Sequence, residues 1–155
     1  LYSHLDDADE ERAACLYCAG GALAELGRCE EALTRLREAQ DIYRRLPDPG
    51  REQADCLYDT GVVLCRAGRP EEAAAAYRAA ADLYGTLAGT GRQQGTCLYR
   101  LGGALAELGR YEEASSTYAA AVGLHPGLRE EVGVDDDTLH RAWSTRSLAE
   151  DRGLP

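Results

Sequence analysis

The sequence predicts an all-α protein built as a stack of antiparallel helical hairpins, and three observations support this fold class. The composition favours Ala and Leu, which are strong helix formers, whereas Val and Ile are scarce and Phe is absent. The 155-residue chain repeats itself at a constant interval. Within each repeat, apolar residues recur at the spacing of one helix face in two successive segments.

The repeat is most visible in the tripeptide Cys-Leu-Tyr, which begins at positions 15, 56 and 97 and so defines a 41-residue period. Further columns keep the same spacing, namely Gly20, Gly61 and Gly102; Leu23, Leu64 and Leu105; Gly27, Gly68 and Gly109; and Ala39, Ala80 and Ala121. Because so many columns stay in register, we interpret residues 1–155 as one domain. The predicted repeats span residues 10–47, 51–88 and 92–126.

Each repeat contains two predicted helices separated by a glycine. In the first repeat, the first helix ends at Gly27, since glycine readily adopts the left-handed conformation found after helix C-termini. The second helix begins near Glu31, because carboxylates are favourable at a helix N-terminus. Gly20 lies inside the first helix, although glycine costs about 1 kcal/mol there relative to alanine. We therefore expect the second helix to approach closely at Ala32. The corresponding pairs are Gly61 with Ala73 and Gly102 with Ala114.

A further pattern is most complete in the third repeat, at Leu98, Leu101, Gly102, Leu105, Gly109, Tyr111, Glu113, Ala114, Tyr118, Ala121, Leu124 and Pro126. It resembles the tetratricopeptide repeat signature, from which the first two repeats depart by placing Cys29 and Pro70 where Tyr111 stands. The usual period is about 34 residues, so the chain is more similar to the long-repeat subclass of kinesin light chains and GoLoco-tailed G-protein signalling modulators. The resemblance implies a right-handed α-solenoid.

The same resemblance implies that the first helices of the repeats line a concave groove that receives ligands. The predicted groove residues are Tyr17, Gly21 and Glu25 in the first repeat; Asp55, Tyr58, Asp59, Val62 and Arg66 in the second; and Tyr99, Gly103 and Glu107 in the third. One tyrosine recurs in each repeat, and tyrosine combines a large apolar ring with a hydrogen-bonding hydroxyl. In an alternative interpretation, these tyrosines pack against neighbouring hairpins.

Both ends of the chain carry parts of the pattern. The N-terminal Leu-Tyr pair falls in the column that ends the second helix of later repeats. Residues 1–6 are therefore predicted to be the end of a preceding repeat's second helix, and the chain to be a fragment of a longer array. At the other end, Trp143 falls in the glycine column, where its ring prevents a close-packed partner helix. We therefore predict a C-terminal capping helix at residues 135–150.

The charge of the chain restricts its partners. The formal net charge is −10 and the sequence pI is about 4.7, whereas nucleic-acid binders need a basic surface. No apolar run approaches the roughly 20 residues that cross a bilayer. We therefore expect neither nucleic acid nor membrane as a partner, but a protein or peptide of basic or amphipathic character. The fragment could also self-associate at the end where the preceding repeat is missing.

Catalytic and metal-binding patterns are weak in this sequence. Cys15 and Cys18 have the C-x-x-C spacing of half a zinc site, but no second pair follows. The histidines form no triad or metalloprotease pattern. We therefore predict no enzyme, no catalytic residue, no metal and no cofactor. The cysteines are interpreted as free thiols in a reducing cytoplasm.

These features predict a non-catalytic protein- or peptide-binding scaffold, within a larger signalling or regulatory protein. The alternative is a structural domain that self-associates, or an autoinhibitory domain that controls a neighbouring effector domain.

Overall fold

A computed structural model describes residues 2–48 and 50–128 of the chain. This part contains no strand and forms six helices: α1 Tyr2–Glu25, α2 Cys29–Arg45, α3 Gly50–Arg66, α4 Pro70–Gly85, α5 Gly91–Glu107 and α6 Tyr111–Leu124. The predicted all-α class is therefore confirmed. The predicted capping helix at 135–150 lies outside the described residues.

The helices form three antiparallel hairpins, α1–α2, α3–α4 and α5–α6, and each helix packs mainly on its neighbours in the chain. Three-residue connections within the hairpins impose the antiparallel arrangement. In the first connection, Gly27 has a φ of +76°. Its amide donates to the carbonyl of Ala24 at 3.0 Å, and the Arg28 amide donates to that of Leu23 at 2.9 Å. This is the Schellman arrangement, and it satisfies carbonyls that the helix end leaves open.

The internal glycines of the second and third hairpins make room for tyrosine rings. A Cβ atom added to Gly61 would lie 2.7 Å from Cε1 of Tyr77, and one added to Gly102 would lie 2.7 Å from Cε1 of Tyr118. Both tyrosines are buried in the main core. Their rings thus occupy the space that a side chain at the glycine position would need.

At Gly20, the side chain that occupies the space left by the missing Cβ atom is a leucine and not a tyrosine. A Cβ atom there would lie 2.8 Å from Cγ of Leu36 and 3.3 Å from the carbonyl oxygen of Ala32. The predicted close approach is therefore present, but its nearest partner is not the alanine. The large side chain one helical turn later fills the space, because residues four apart lie on the same helix face.

The N-terminal prediction needs a correction. Helix α1 is continuous from Tyr2 to Glu25, so residues 2–6 belong to the first helix of the first hairpin. They do not form a separate helix end before it. The reason is local, since residues 6–10 contain neither glycine nor proline to stop the helix.

Successive hairpins are joined by polar contacts that recur at the repeat spacing. Arg37 lies 4.0 Å from Glu72, and Arg78 lies 3.9 Å from Glu113, one repeat further along the chain. Such exposed ion pairs each contribute at most about 1 kcal/mol, and their recurrence shows that the two junctions have the same register on this surface.

A buried hydrogen bond also joins the first two hairpins. The Gln40 side-chain amide on α2 donates to Oγ1 of Thr60 on α3 at 2.7 Å, and both residues are buried. Buried polar groups are costly unless they are hydrogen-bonded, so this pair fixes how α2 and α3 meet.

Candidate ligand-binding groove

The three predicted groove tyrosines are partly exposed and pack against the main core. The ring of Tyr58 lies 5.8 Å from that of Tyr77, and the ring of Tyr99 lies 5.5 Å from that of Tyr118, both in tilted arrangements. Tilted pairs at this distance are favourable. Tyr58 and Tyr99 therefore pack against other aromatic rings, whereas the alternative interpretation expects the tyrosines to pack against neighbouring hairpins. Their aromatic partners, however, lie in the same hairpin and not in a neighbouring one.

Tyr17 differs from the other two tyrosines because its polar contact crosses to the next hairpin. Its hydroxyl forms a hydrogen bond with the carboxylate of Asp59 on α3. Two causes raise the pKa of Tyr17 far above its usual range: burial is the larger, and the Asp59 carboxylate is the second. The hydroxyl therefore stays protonated and remains a donor to Asp59.

A cavity of about 520 Å³ opens beside this contact, and all three hairpins contribute to its wall. We call it the tyrosine cavity. It is lined by Tyr17 of α1; Asp55, Tyr58 and Asp59 of α3; Tyr84 of α4; and Arg92, Gln93, Thr96 and Cys97 of α5. Its lining therefore combines aromatic rings, two carboxylates and one guanidinium group.

The structure brings four of the eleven predicted groove residues together in the tyrosine cavity, namely Tyr17, Asp55, Tyr58 and Asp59. The other seven do not line it: Gly21, Glu25, Val62, Arg66, Tyr99, Gly103 and Glu107. Among these, Arg66 lies 3.5 Å from Glu25 of the preceding hairpin. This arginine therefore already has a carboxylate partner within the chain.

Sequence reasoning missed several residues of the cavity. Tyr84 was outside the predicted set because only first helices were assigned to the groove, although it repeats Tyr43 at the 41-residue spacing. Arg92 and Gln93 lie in the first turn of α5, before the predicted columns begin. Cys97 is buried, and burial raises the pKa of its thiol to about 12.

The two carboxylates of the cavity are held by tyrosine hydroxyls. The Tyr84 hydroxyl donates to Oδ1 of Asp55, as Tyr17 does to Asp59. Burial raises the pKa of Asp59; the Tyr17 hydrogen bond opposes this shift, and the nearby charge of Asp55 adds to it. Both aspartates are half-buried, and neither forms an ion pair within residues 2–48 and 50–128.

A second cavity, of about 200 Å³, lies one hairpin toward the N-terminus. It is lined by Asp6, Glu10, Tyr43, Leu46, Pro47, Asp48 and Glu52. Tyr43 precedes Tyr84 by one repeat period, and Glu52 precedes Gln93 by the same interval. The two cavities therefore share two repeat columns, whereas their other lining residues fall in different columns.

The described helices also bear on metal binding and membrane insertion. Within the described part of the chain, no three His, Cys, Asp or Glu side chains are arranged to hold a metal ion. Among the same residues, no helix has both the length and the apolar character needed to span a bilayer.

Two family profiles, both described as tetratricopeptide repeat, match residues 12–86 and 58–128. Together they extend over residues 12–128, well over half of the chain. The chain belongs to the tetratricopeptide repeat family. No curated protein matches this tetratricopeptide repeat chain significantly in sequence.

Solved structures support the same fold. The chain is similar to the C-terminal TPR-containing domain of a protein assigned as an FK506-binding protein from Plasmodium falciparum, with a TM-score of 0.70 and 18% identity. That match covers 96% of this chain and 95% of the domain. It is also similar to aspartyl phosphate phosphatase F from Bacillus subtilis, with a TM-score of 0.69 and 16% identity. There it covers 93% of this chain and spans only 42% of the phosphatase. At these identities, the similarity concerns the fold alone.

Proposed function

We propose that this tetratricopeptide repeat chain is a non-catalytic scaffold that binds a protein or peptide in a concave groove along its first helices. The tyrosine cavity carries this proposal. Its volume of about 520 Å³ falls within the range of about 300–1,000 Å³ that is typical of ligand pockets. Its tyrosine rings supply apolar contact area and its polar side chains supply orientation, which is the usual composition of a binding surface.

The finer features of the proposal depend on sequence and charge. The 41-residue period supports membership of the long-repeat subclass, with a role in a larger signalling or regulatory protein. The six cysteines are free thiols, which supports a reducing compartment such as the cytoplasm. The net charge of −10 and the carboxylates in both cavities support a basic or amphipathic partner.

Blocking the groove tests this proposal. Gly21 follows Tyr17 by four residues on α1 and is exposed, and an added Cβ atom would meet nothing within 4 Å. Gly21→Trp is therefore expected to place an indole in the proposed groove, since the exposed position has open space for the new Cβ atom. The matched control is Gly123→Trp on α6, where an added Cβ atom also meets nothing within 4 Å. This control presents the same exposed indole outside the groove.

The three proteins are immobilised and used to capture partners from native lysate, after circular dichroism has shown equal helix content. We expect proteins that are retained by the wild type and by Gly123→Trp to be lost by Gly21→Trp. Equal retention by all three proteins would place binding elsewhere, and retention of nothing by any of them would contradict the scaffold function.

A further inference from the structure

Resting on the proposed function, we propose that the tyrosine cavity is a subsite for one arginine side chain of the bound partner. The two cavity aspartates receive its guanidinium group, and the tyrosine rings contact its planar face. This deepens the scaffold function, since it names the chemical group that determines which partner is recognised.

The first support is the contrast between acidic residues inside and outside the cavity. Outside the cavity, seven acidic side chains of the described helices pair with arginines on the surface, namely Glu25, Glu30, Glu31, Glu38, Asp41, Glu72 and Glu113. Asp55 and Asp59 face the cavity instead, and their identified partners are tyrosine hydroxyls. A half-buried carboxylate is costly without an opposite charge. A bound cation would supply that charge, and it would lower the raised pKa of Asp59.

The second support is the shape and chemistry of the wall. Tyr17, Tyr58 and Tyr84 line the same cavity as the carboxylates, and tyrosine faces attract cations. Arginine fits such a site better than lysine, because its planar guanidinium can stack on a ring and donate to two carboxylates at once. Arg92 also lines the cavity and is exposed. With two aspartates and one arginine, the lining keeps a formal charge of −1.

The third support is that the acidic lining recurs. The second cavity, which shares two repeat columns with the tyrosine cavity, is lined by four carboxylates and no basic residue. A peptide that extends from the tyrosine cavity toward the N-terminal hairpin would therefore meet further acidic side chains. Charge complementarity along this path favours a basic peptide segment over a neutral or acidic one.

The experiment uses nonapeptide libraries with arginine fixed at the centre, screened against the whole chain. The best binder is then remade with citrulline, which keeps the shape of arginine but lacks its charge. Both labelled peptides are titrated by fluorescence anisotropy against the wild type and against Asp55→Asn/Asp59→Asn. Asparagine keeps an oxygen acceptor for the tyrosine hydroxyls, so the variant should retain the fold. The matched control is Glu71→Gln/Asp82→Asn, which removes two charges from exposed positions of α4 outside both cavities.

We expect citrulline to weaken binding to the wild type and to the α4 control at least tenfold. The Asp55→Asn/Asp59→Asn variant should bind both peptides equally and weakly. One outcome would leave the scaffold function standing and show that the arginine subsite is wrong. In that outcome, a peptide binds the wild type but not Gly21→Trp, and neither citrulline nor the aspartate variant changes its affinity. If the α4 control loses as much affinity as the cavity variant, only long-range attraction acts, and the subsite is again wrong. If no library peptide binds, the arginine subsite is wrong, and the scaffold function is decided by the lysate capture alone.

Discussion

Replacing Gly61 with alanine tests whether the internal glycines exist to accommodate a side chain of the second helix. The new Cβ atom would lie 2.7, 2.8 and 2.9 Å from three ring atoms of Tyr77, closer than such atoms normally approach. The Tyr77 side chain is only 1% exposed and packs against Tyr58, so its ring has no open space into which it can move.

Two opposing contributions determine how Gly61→Ala changes the free energy of unfolding. Alanine gains about 1 kcal/mol over glycine within a helix, whereas overpacking a buried site costs about 1–3 kcal/mol. Gly61→Ala should therefore lower the free energy of unfolding by up to about 2 kcal/mol. Gly21→Ala should raise it by about 1 kcal/mol, because an added Cβ atom there meets nothing within 4 Å.

The helix-propensity gain is the same in both variants, so the difference between them measures overpacking alone. This difference of about 1–3 kcal/mol corresponds to roughly 2–12 °C in melting temperature for a chain of this size. Thermal and urea unfolding followed by circular dichroism measure it directly. If Gly61→Ala is as stable as Gly21→Ala, the reasoning is refuted. As an internal check, alanine at position 61 should carry no penalty once Tyr77 is also alanine.

Three further predictions concern buried polar and titratable groups. Thr60→Val removes the acceptor of the buried Gln40 amide and should destabilise the fold by about 1–3 kcal/mol in urea unfolding; a change well below that range would show that the amide finds another partner. Burial raises the pKa of Asp59, so the folded chain binds this proton more tightly than the unfolded chain, and stability falls as pH rises above the unfolded value of about 3.9. Asp59→Asn should therefore raise the melting temperature relative to wild type at neutral pH but not near pH ~3, and an equal effect at both pH values would contradict this. Maleimide at neutral pH should modify the exposed Cys15 and spare the buried Cys97, whose pKa is raised to about 12; peptide mass spectrometry checks the order, and the reverse order would contradict the burial.

The helices were predictable because their determinants are local. Apolar spacing, acidic first turns and terminal glycines lie within a few residues of one another, and they recur in every repeat. The partner of an internal glycine was harder to predict. The sequence indicated that something approaches Gly61 closely, but the choice between Ala73 and Tyr77 depends on how the paired helices are rotated. That rotation is set by packing across the whole hairpin.

The candidate site was predictable only in part for the same reason. Tyr17 belongs to the tyrosine column of the first helices and Asp59 lies one residue after that column, so the repeat pattern and its resemblance indicated them. Their contact, however, crosses from one hairpin to the next. Tyr84 and Arg92 reach the same cavity from a second helix and from the start of the next unit. Such meeting points depend on how successive hairpins stack, which no pattern within a single repeat contains.

The recurring contact between hairpins makes the length of this protein adjustable. Because Arg37–Glu72 and Arg78–Glu113 are the same contact displaced by one repeat, a second copy of residues 50–90 inserted after residue 90 would find an ion-pair partner on each side. Its Glu72 would meet the original Arg78, and its own Arg78 would meet Glu113. Duplication within the gene would therefore extend the array with these surface ion pairs preserved, whereas the copied Thr60 would face Ala81 in place of Gln40. Each added copy would bring another tyrosine to the binding face.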